Sequence, residues 1–176
     1  FHFEGGVAEF VSYLNQGKAV LPTEPIFIEK EIEDEKSYCK VEIAMQYSDS
    51  YNESFFPYCN NIHTIEGGTH LSGFRSALTR ALNDYARRAK LLKDDDPNLS
   101  GDDVRERLSA VISVKLGEPQ FEGQTKTRLG NPEVKGMVDS AVAAGLNQYL
   151  DENPAVGRRI IEKALTASRA REAARK

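Results

Sequence analysis

The sequence lacks most of the features that mark secreted or membrane-spanning proteins. Only two of its 176 residues are cysteine and none is tryptophan. Two cysteines cannot form a disulfide framework, so Cys39 and Cys59 are predicted to be reduced thiols of a cytoplasmic protein. No run approaches the roughly 20 consecutive apolar residues of a membrane span. The opening residues, Phe1-His2-Phe3-Glu4, show no signal peptide and no initiator Met, so we expect a piece of a longer chain.

The signatures of a self-contained catalyst are also missing. There is no C-x-x-C or H-x₃₋₅-H metal spacing, no G-x-x-x-x-G-K-[ST] phosphate loop and no G-x-S-x-G elbow. The pair Asp102-Asp103 is explained more simply as helix-dipole partners in a first helical turn than as an acid pair. We therefore expect no metal site and no catalytic residue within this chain.

The composition is that of a foldable domain with an uneven distribution of charge. Lys and Arg number 23 against 27 Asp and Glu, a net charge of −4, and 40% of the residues are hydrophobic. Residues 158–176 hold seven basic and two acidic side chains, a net +5, which leaves −9 on residues 1–157. This asymmetry indicates either an anionic partner for the C-terminal end or a solvated helix rich in Arg and Ala. Charge alone leaves both open.

Alternation of polar and apolar residues predicts four strands. They cover Ile26–Ile32, Val41–Tyr47, Phe55–Asn60 and Leu108–Leu116. The first three are joined by short turns, which predicts an antiparallel meander, and Pro57 favours an edge or a bulge. Their mixed faces are typical of a sheet packed on one side only.

Helical periodicity or a helix-start signal marks five further segments. These are Val7–Leu14, Leu71–Tyr85, Ser100–Arg105, Pro132–Tyr149 and Pro154–Lys176. The expected fold is therefore α+β, a four-stranded sheet with helices packed on one side and a long C-terminal helix. That helix turns polar from about Ser168, so residues 154–176 are expected to lead towards another domain.

One loop stands out by its position between a clear strand and a clear helix. It reads Gln124-Thr125-Lys126, with Gly123 before it and Gly130 after it. A Lys ammonium on its flexible stem suits a phosphate, and Gln and Thr add hydrogen-bond donors. A surface Lys in a polar loop is commonplace, however, so the residues alone leave a phosphate contact and an ordinary exposed loop both open.

Several motifs, in the right order and over essentially the whole chain, resemble the B-type proteins of bacterial DNA gyrase and topoisomerase IV. They are Glu66–Arg80 (EGGTHLSGFRSALTR), Gly101–Glu106, Ala110–Lys115, and Pro119-Gln120-Phe121 leading into Gln124-Thr125-Lys126. The opening Phe1–Gly6 and the closing Ala167–Arg175 look like the boundaries of that family's second domain.

The resemblance implies a single transducer domain over residues 1–176, with a fold similar to domain 2 of ribosomal protein S5. Such a domain follows a GHKL-type ATPase domain and couples ATP binding and hydrolysis there to DNA strand passage and negative supercoiling. The parent would be an ATP-dependent isomerase that uses ATP and Mg²⁺, while the fragment alone would be inactive. The corresponding domain of topoisomerase IV and a stand-alone S5-like nucleic-acid-binding module are the alternatives.

The same resemblance assigns roles to individual residues. Lys126 would contact the γ-phosphate of ATP with Gln124 beside it. Arg75 would face the cavity through which DNA passes, and we group Arg80 with it on the DNA path. The implied partners are DNA, the ATPase domain, a second gyrase B protomer and the gyrase A protein, with the isolated fragment a monomer. The family has Gly where this chain has Arg107, which predicts an unusual backbone angle or a local shift there.

Overall fold

The computed structural model describes residues 6–33, 38–49, 53–122 and 128–175. It contains five helices in these ranges: α1 (Gly6–Leu14), α2 (Thr69–Arg88), α3 (Gly101–Arg105), α4 (Pro132–Glu152) and α5 (Pro154–Arg175). It also contains eight strands there: β1 (Val20–Glu33), β2 (Tyr38–Ser48), β3 (Ser54–Cys59), β4 (Ile62–His63), β5 (Gly67–Gly68), β6 (Leu108–Leu116), β7 (Phe121–Glu122) and β8 (Arg128–Leu129).

The main sheet has five strands in the order β1-β2-β6-β3-β4, so the prediction of four strands is wrong. β2 pairs antiparallel with β1 and β6, whereas β3 runs parallel to β6, so the predicted three-stranded meander is wrong as well. β6 takes the central position because every side chain from Leu108 to Val114 is buried. The fifth strand was missed because β4 has only two residues, too few for a periodic signal.

Helices cover both faces of this sheet, which corrects the prediction of one covered side. α2, α4 and α5 enclose the larger core, which includes Phe74, Leu146 and Ile160. α1 lies on the opposite face, where Val7 and Val11 pack among residues of β2, β3 and β6. The reason is that β2, β3 and β6 each place an apolar side chain on the second face, Ala44, Tyr58 and Val111, which a sheet covered on one side would expose to water.

The polar end of α5 is docked on α3. Arg171 donates to the carboxylate of Asp103 at 2.7 Å and lies 3.9 Å from Glu106. Asp103 is only 7% exposed and also completes the N-terminal capping box of α3 with Ser100, the cap that the sequence predicts. The helix is therefore held against the domain at least as far as Arg171, and its continuation towards another domain stays a prediction.

A second, much smaller sheet has three strands of two residues each, in the order β5-β8-β7. β5 pairs parallel with β8, and β8 pairs antiparallel with β7. β5 directly precedes α2, so this small sheet joins the segment after β6 to the start of a long helix that packs on the main sheet.

Cys39 and Cys59 are free thiols, as predicted, and the structure shows that both are buried. Burial raises the pKa of the Cys59 thiol to about 11, so it stays protonated at neutral pH. Within the described ranges, no helix has the length and apolar character needed to cross a membrane.

Candidate functional site

The loop that carries Gln124 and Lys126 lies outside the described residues, but the framework on either side of it is described. Phe121 pairs with Leu129 and Glu122 pairs with Arg128 in an antiparallel ladder. The Arg128 guanidinium also lies 3.0 Å from the Glu122 carboxylate. Residues 123–127 are thus bracketed by two short strands that are paired to each other.

The C-terminal arm of this bracket is fixed to the start of α2. In the parallel ladder Gly67 pairs with Arg128 and Gly68 pairs with Leu129. Gly68 has φ +131°, and a Cβ atom there would collide with the backbone of Leu129. Only glycine fits a position with that angle and that close approach. The Gly-Gly pair of the EGGTH segment is therefore explained by the need to seat β8 against β5.

The N-terminal arm is fixed to the start of α4 by one buried side chain. The Oδ1 atom of Asn131 accepts a hydrogen bond from the backbone N–H of Gln120 at 2.5 Å. Its amide nitrogen donates to the carbonyl of Glu118 at 3.2 Å and to the Glu133 carboxylate at 2.9 Å. The bond from Asn131 holds the pKa of the Glu133 carboxyl below its usual range. Both arms therefore rest on the helices of the domain.

The first turn of α2 carries a fully buried histidine. The Nε2 atom of His70 lies 3.0 Å from Oγ1 of Thr64, and that hydroxyl lies 3.0 Å from the carbonyl of Pro57 in β3. Burial lowers the pKa of His70 to about 4, so the imidazole is neutral at pH 7. The residue types in EGGTH gave no sign of this role, since a histidine at a helix start is equally compatible with an exposed position.

Arg75 and Arg80 line one groove of about 610 Å³ along α2. We call it the arginine groove, and its charged lining is Arg75, Arg80, Asp84, Arg87 and Arg105. The structure thus brings together the two arginines that we placed on a DNA path. Arg105 comes from α3 and was not predicted, because no local sequence pattern links it to α2.

The guanidinium groups of the groove are held by partners on the protein. Arg80 binds Asp139 of α4 through both of its terminal nitrogens, at 3.1 and 2.5 Å, and this bond raises the pKa of Arg80. Arg75 lies 3.8 Å from the Glu53 carboxylate and 5.4 Å from the ring centre of Phe55. An anion entering the groove therefore meets oriented cations, but it must compete with these carboxylates.

Arg107 adopts the backbone conformation that the family's glycine would favour. Its φ is +66°, in the left-handed region, so the prediction of an unusual angle is confirmed. Its guanidinium donates to the carbonyl of Asp49 at 3.2 Å, and its own carbonyl accepts from the N–H of Ser48 at 2.9 Å. These two bonds hold the entry to β6 despite the side chain.

Acidic, histidine and cysteine side chains do not gather into a metal-binding group in the described ranges. No cluster of three or more of them there could hold an ion. The groups that the described part of the chain does bring together at its surface are guanidinium cations and hydrogen-bonding side chains, which suit an anionic ligand.

Comparison with known proteins places the chain in one family. The family model described as DNA gyrase B matches residues 6–176. The DNA gyrase B protein of Clostridium acetobutylicum is 61% identical over all 176 residues, and that of Enterococcus faecalis is 51% identical over the same length. The chain spans about a quarter of these relatives, 27% of each.

Solved structures agree with this placement. The 43K ATPase domain of Thermus thermophilus gyrase B superposes with a TM-score of 0.88 at 43% identity, over 99% of this chain and 46% of that one. The topoisomerase IV ATP-binding domain of Francisella tularensis gives a TM-score of 0.78 at 30% identity, over 97% of this chain and 44% of that one.

These matches correct the expected fold assignment. We expected an S5-like transducer domain that follows the ATPase domain. The fold instead lies within the region that the matched structures describe as an ATPase or ATP-binding domain, and it is built on a five-stranded mixed sheet. The family model over nearly the whole chain and the 61% identity along its full length show that this chain belongs to the DNA gyrase B family.

Proposed function

We propose that this chain is the part of a gyrase B ATPase region that couples the binding and hydrolysis of ATP to DNA strand passage and negative supercoiling. Lys126 contacts the γ-phosphate, and Gln124 supplies a neighbouring hydrogen bond. The parent protein is an ATP-dependent isomerase of the cytoplasm, and this chain alone is not a catalyst. The length of the relatives supports a part of a larger protein over a stand-alone nucleic-acid-binding module.

One observation carries the proposal. The loop with Gln124 and Lys126 is bracketed by β7 and β8, and both arms are fixed to the starts of long helices. A cation on such a loop is linked mechanically to α2 and α4. A force on the loop therefore reaches the helices that pack on the main sheet.

The energy of one ion pair can be compared with the free energy that a conformational rearrangement requires. A pair of unit charges ~4 Å apart at an effective dielectric constant near 20 is worth about 4 kcal/mol before desolvation. Driving a two-state rearrangement from 1:99 to 99:1 needs about 5.5 kcal/mol of differential binding. Lys126 therefore biases the rearrangement, and contacts between two gyrase B protomers supply the remainder. Hydrolysis and phosphate release remove the anion and let the loop and its helices relax.

The other partners follow from the family. The Mg²⁺ that accompanies ATP is held by other parts of the gyrase B protein, and the holoenzyme contains gyrase A and DNA. The identity of 61% to a gyrase B protein, compared with 30% to a topoisomerase IV domain, favours gyrase as the parent.

The test uses the full-length gyrase B protein reconstituted with gyrase A. We expect Lys126→Ala to abolish ATP-dependent supercoiling and Gln124→Ala to weaken it, with melting temperatures unchanged. Lys18→Ala is the matched control, because Lys18 is an exposed Lys in the bend after α1. Wild-type rates of ATP hydrolysis and supercoiling in Lys126→Ala would contradict the γ-phosphate contact.

The arginine groove supports a second role within the same function, contact with DNA through Arg75 and Arg80. Oriented guanidinium groups bind phosphates without regard to sequence, and such binding weakens steeply with salt. Arg75 is the better candidate of the two, because its ion pair is long, whereas Arg80 is committed to Asp139 by two bonds.

The groove is tested in the holoenzyme. We expect Arg75→Ala to reduce the stimulation of ATP hydrolysis by DNA, with the largest difference from wild type at low salt. Lys30→Ala is the control, since Lys30 is an exposed cation of β1 and lies outside the groove. If DNA stimulates ATP hydrolysis equally in Arg75→Ala and wild type at every salt concentration, Arg75 does not contact DNA.

A further inference from the structure

We propose that His70 is a positioning residue for the nucleotide response: it holds β5 in place, and β5 holds β8 and with it the loop that carries Lys126. This inference rests on the proposed function, since it concerns the same loop. It adds a residue that does not touch the nucleotide and that acts through two short strands.

The hydrogen bonds around His70 assign its proton. Thr64 has a single hydroxyl proton, which it donates to the carbonyl of Pro57 at 3.0 Å. The hydroxyl oxygen of Thr64 is then the acceptor for His70, so the imidazole carries its proton on Nε2. The result is a chain of two hydrogen bonds from the first turn of α2, through Thr64, to β3 of the main sheet.

These two hydrogen bonds bridge the segment that contains β5, the strand that needs support. The two residues of β5, Gly67 and Gly68, lie between Thr64 and His70 and have φ angles of +81° and +131°. Glycine loses more conformational freedom on ordering than any other residue, so two in succession make a weak strand. Gly67 also donates its N–H to the carbonyl of Thr64 at 2.8 Å. The contact from Thr64 to His70 closes the segment around the glycines and fixes their position.

Burying a histidine at this position costs free energy of folding, and a role as an ordinary core residue would leave that cost unexplained. His70 and Thr64 are both fully buried. The Nδ1 atom of His70 is buried with no hydrogen-bond partner among the described residues. A buried polar atom without a partner costs about 1–3 kcal/mol, so an apolar side chain of similar size would contribute more to the stability of the core. The histidine is explained by what its Nε2–H holds in place.

The effect reaches the loop by a short route. Gly68 is two residues before His70 and pairs with Leu129, and Leu129 is two residues beyond the loop 123–127. A shift of β5 therefore moves the C-terminal arm of the loop directly. Misplacing a reacting group by about 1 Å can lower a rate by two orders of magnitude.

The experiment is a double-mutant cycle in the full-length gyrase B protein reconstituted with gyrase A. The variants are His70→Leu, Lys126→Ala and the double mutant, with kcat and KM for ATP measured for each. We expect His70→Leu to lower kcat by roughly 10- to 100-fold. In the Lys126→Ala background we expect it to change kcat by less than about twofold, because the group that it positions is already gone.

Two conservative variants keep the test valid if His70→Leu folds poorly. The amide nitrogen of His70→Gln reaches the place of Nε2 and can donate to Thr64, whereas that of His70→Asn stands in the place of Nδ1. We expect His70→Gln to restore most of the rate and His70→Asn to restore little, with both folded by thermal melting.

The outcomes separate the two proposals. If Lys126→Ala alone leaves kcat unchanged, the proposed function fails and this inference fails with it. If Lys126→Ala lowers kcat but the effects of His70→Leu and Lys126→Ala multiply, His70 acts elsewhere and only this inference is overturned. Equal rates for His70→Gln and His70→Asn would overturn it in the same way.

Discussion

The two sheets of this domain differ in size and in how much of each is buried. The central strand β6 of the main sheet is buried from Leu108 to Val114 and is paired on both sides. The small sheet has three strands of two residues: Leu129 of β8 is buried in the larger core, and the remainder is held by a glycine pair, by Asn131 and by the exposed ion pair of Glu122 with Arg128. From this difference we expect a core that resists change and a peripheral element that is easier to move.

Such a division is expected on energetic grounds. Segments that move on ligand binding come from the low-stability end of a protein, where few apolar contacts hold the backbone. A loop that reports the γ-phosphate must be ordered enough to present Lys126 and weak enough to shift when the phosphate leaves. We expect the small sheet to have that intermediate stability, with the main sheet as its support.

The largest expected effect lies in the main sheet. Ile112 is fully buried in β6, so Ile112→Ala removes buried methyl groups and leaves a cavity. We expect the free energy of unfolding to fall by about 2–5 kcal/mol, measured by urea denaturation of the full-length protein. Ile65→Ala is the control, since Ile65 is 71% exposed and should change stability by less than about 0.5 kcal/mol. Equal losses in the two variants would remove the contrast between core and periphery.

Acid should weaken the support of the small sheet through His70. Its pKa falls from the usual 6.5 to about 4 on folding, so between these values the unfolded chain binds a proton that the folded chain does not. The contribution of His70 to the free energy of unfolding therefore does not change with pH above 6.5. It falls by up to about 3 kcal/mol as the pH decreases from 6.5 to 4. We expect His70→Gln to flatten the pH dependence of stability in this window. The same slope in wild type and His70→Gln would show that other groups titrate there.

A smaller and more local effect is expected at Gly68. A Cβ atom there meets the backbone of Leu129 at a φ that L-residues rarely adopt, so Gly68→Ala should weaken the β5–β8 pairing by about 1–3 kcal/mol. Hydrogen exchange should show faster exchange in β5 and β8 and unchanged exchange in β6. Gly117→Ala is the matched control, since a Cβ atom there meets nothing within 4 Å. Faster exchange in β6 as well would mean that the two sheets do not open independently.

The long strands of the main sheet could be predicted from the sequence, and the short strands of the small sheet could not. β2 and β6 were predicted to within a few residues because their alternation of apolar and polar residues is long enough to read. The capping box at Ser100 was predicted because its donors and acceptors lie three residues apart. Both features are local, and local physics suffices to specify them.

What the sequence could not reveal is long-range. Two-residue strands such as β5 and β8 carry no periodicity, and they exist only because distant segments meet. The insertion of β6 between β2 and β3 depends on a pairing across more than fifty residues. Arg105 joins the arginine groove for the same reason, since Glu53 lies between it and Arg75. The residues of Gln124-Thr125-Lys126 alone left two interpretations open, and the likeness to a family motif is the reason that we propose a phosphate contact there.

The most direct measurement is hydrogen exchange in the full-length gyrase B protein with and without a non-hydrolysable ATP analogue. If the loop contacts the γ-phosphate, the backbone amides of β5, β7 and β8 should exchange more slowly with the analogue bound, while those of β6 stay unchanged. Lys126→Ala should remove this difference. Unchanged exchange in all three short strands on saturation with the analogue would contradict the account.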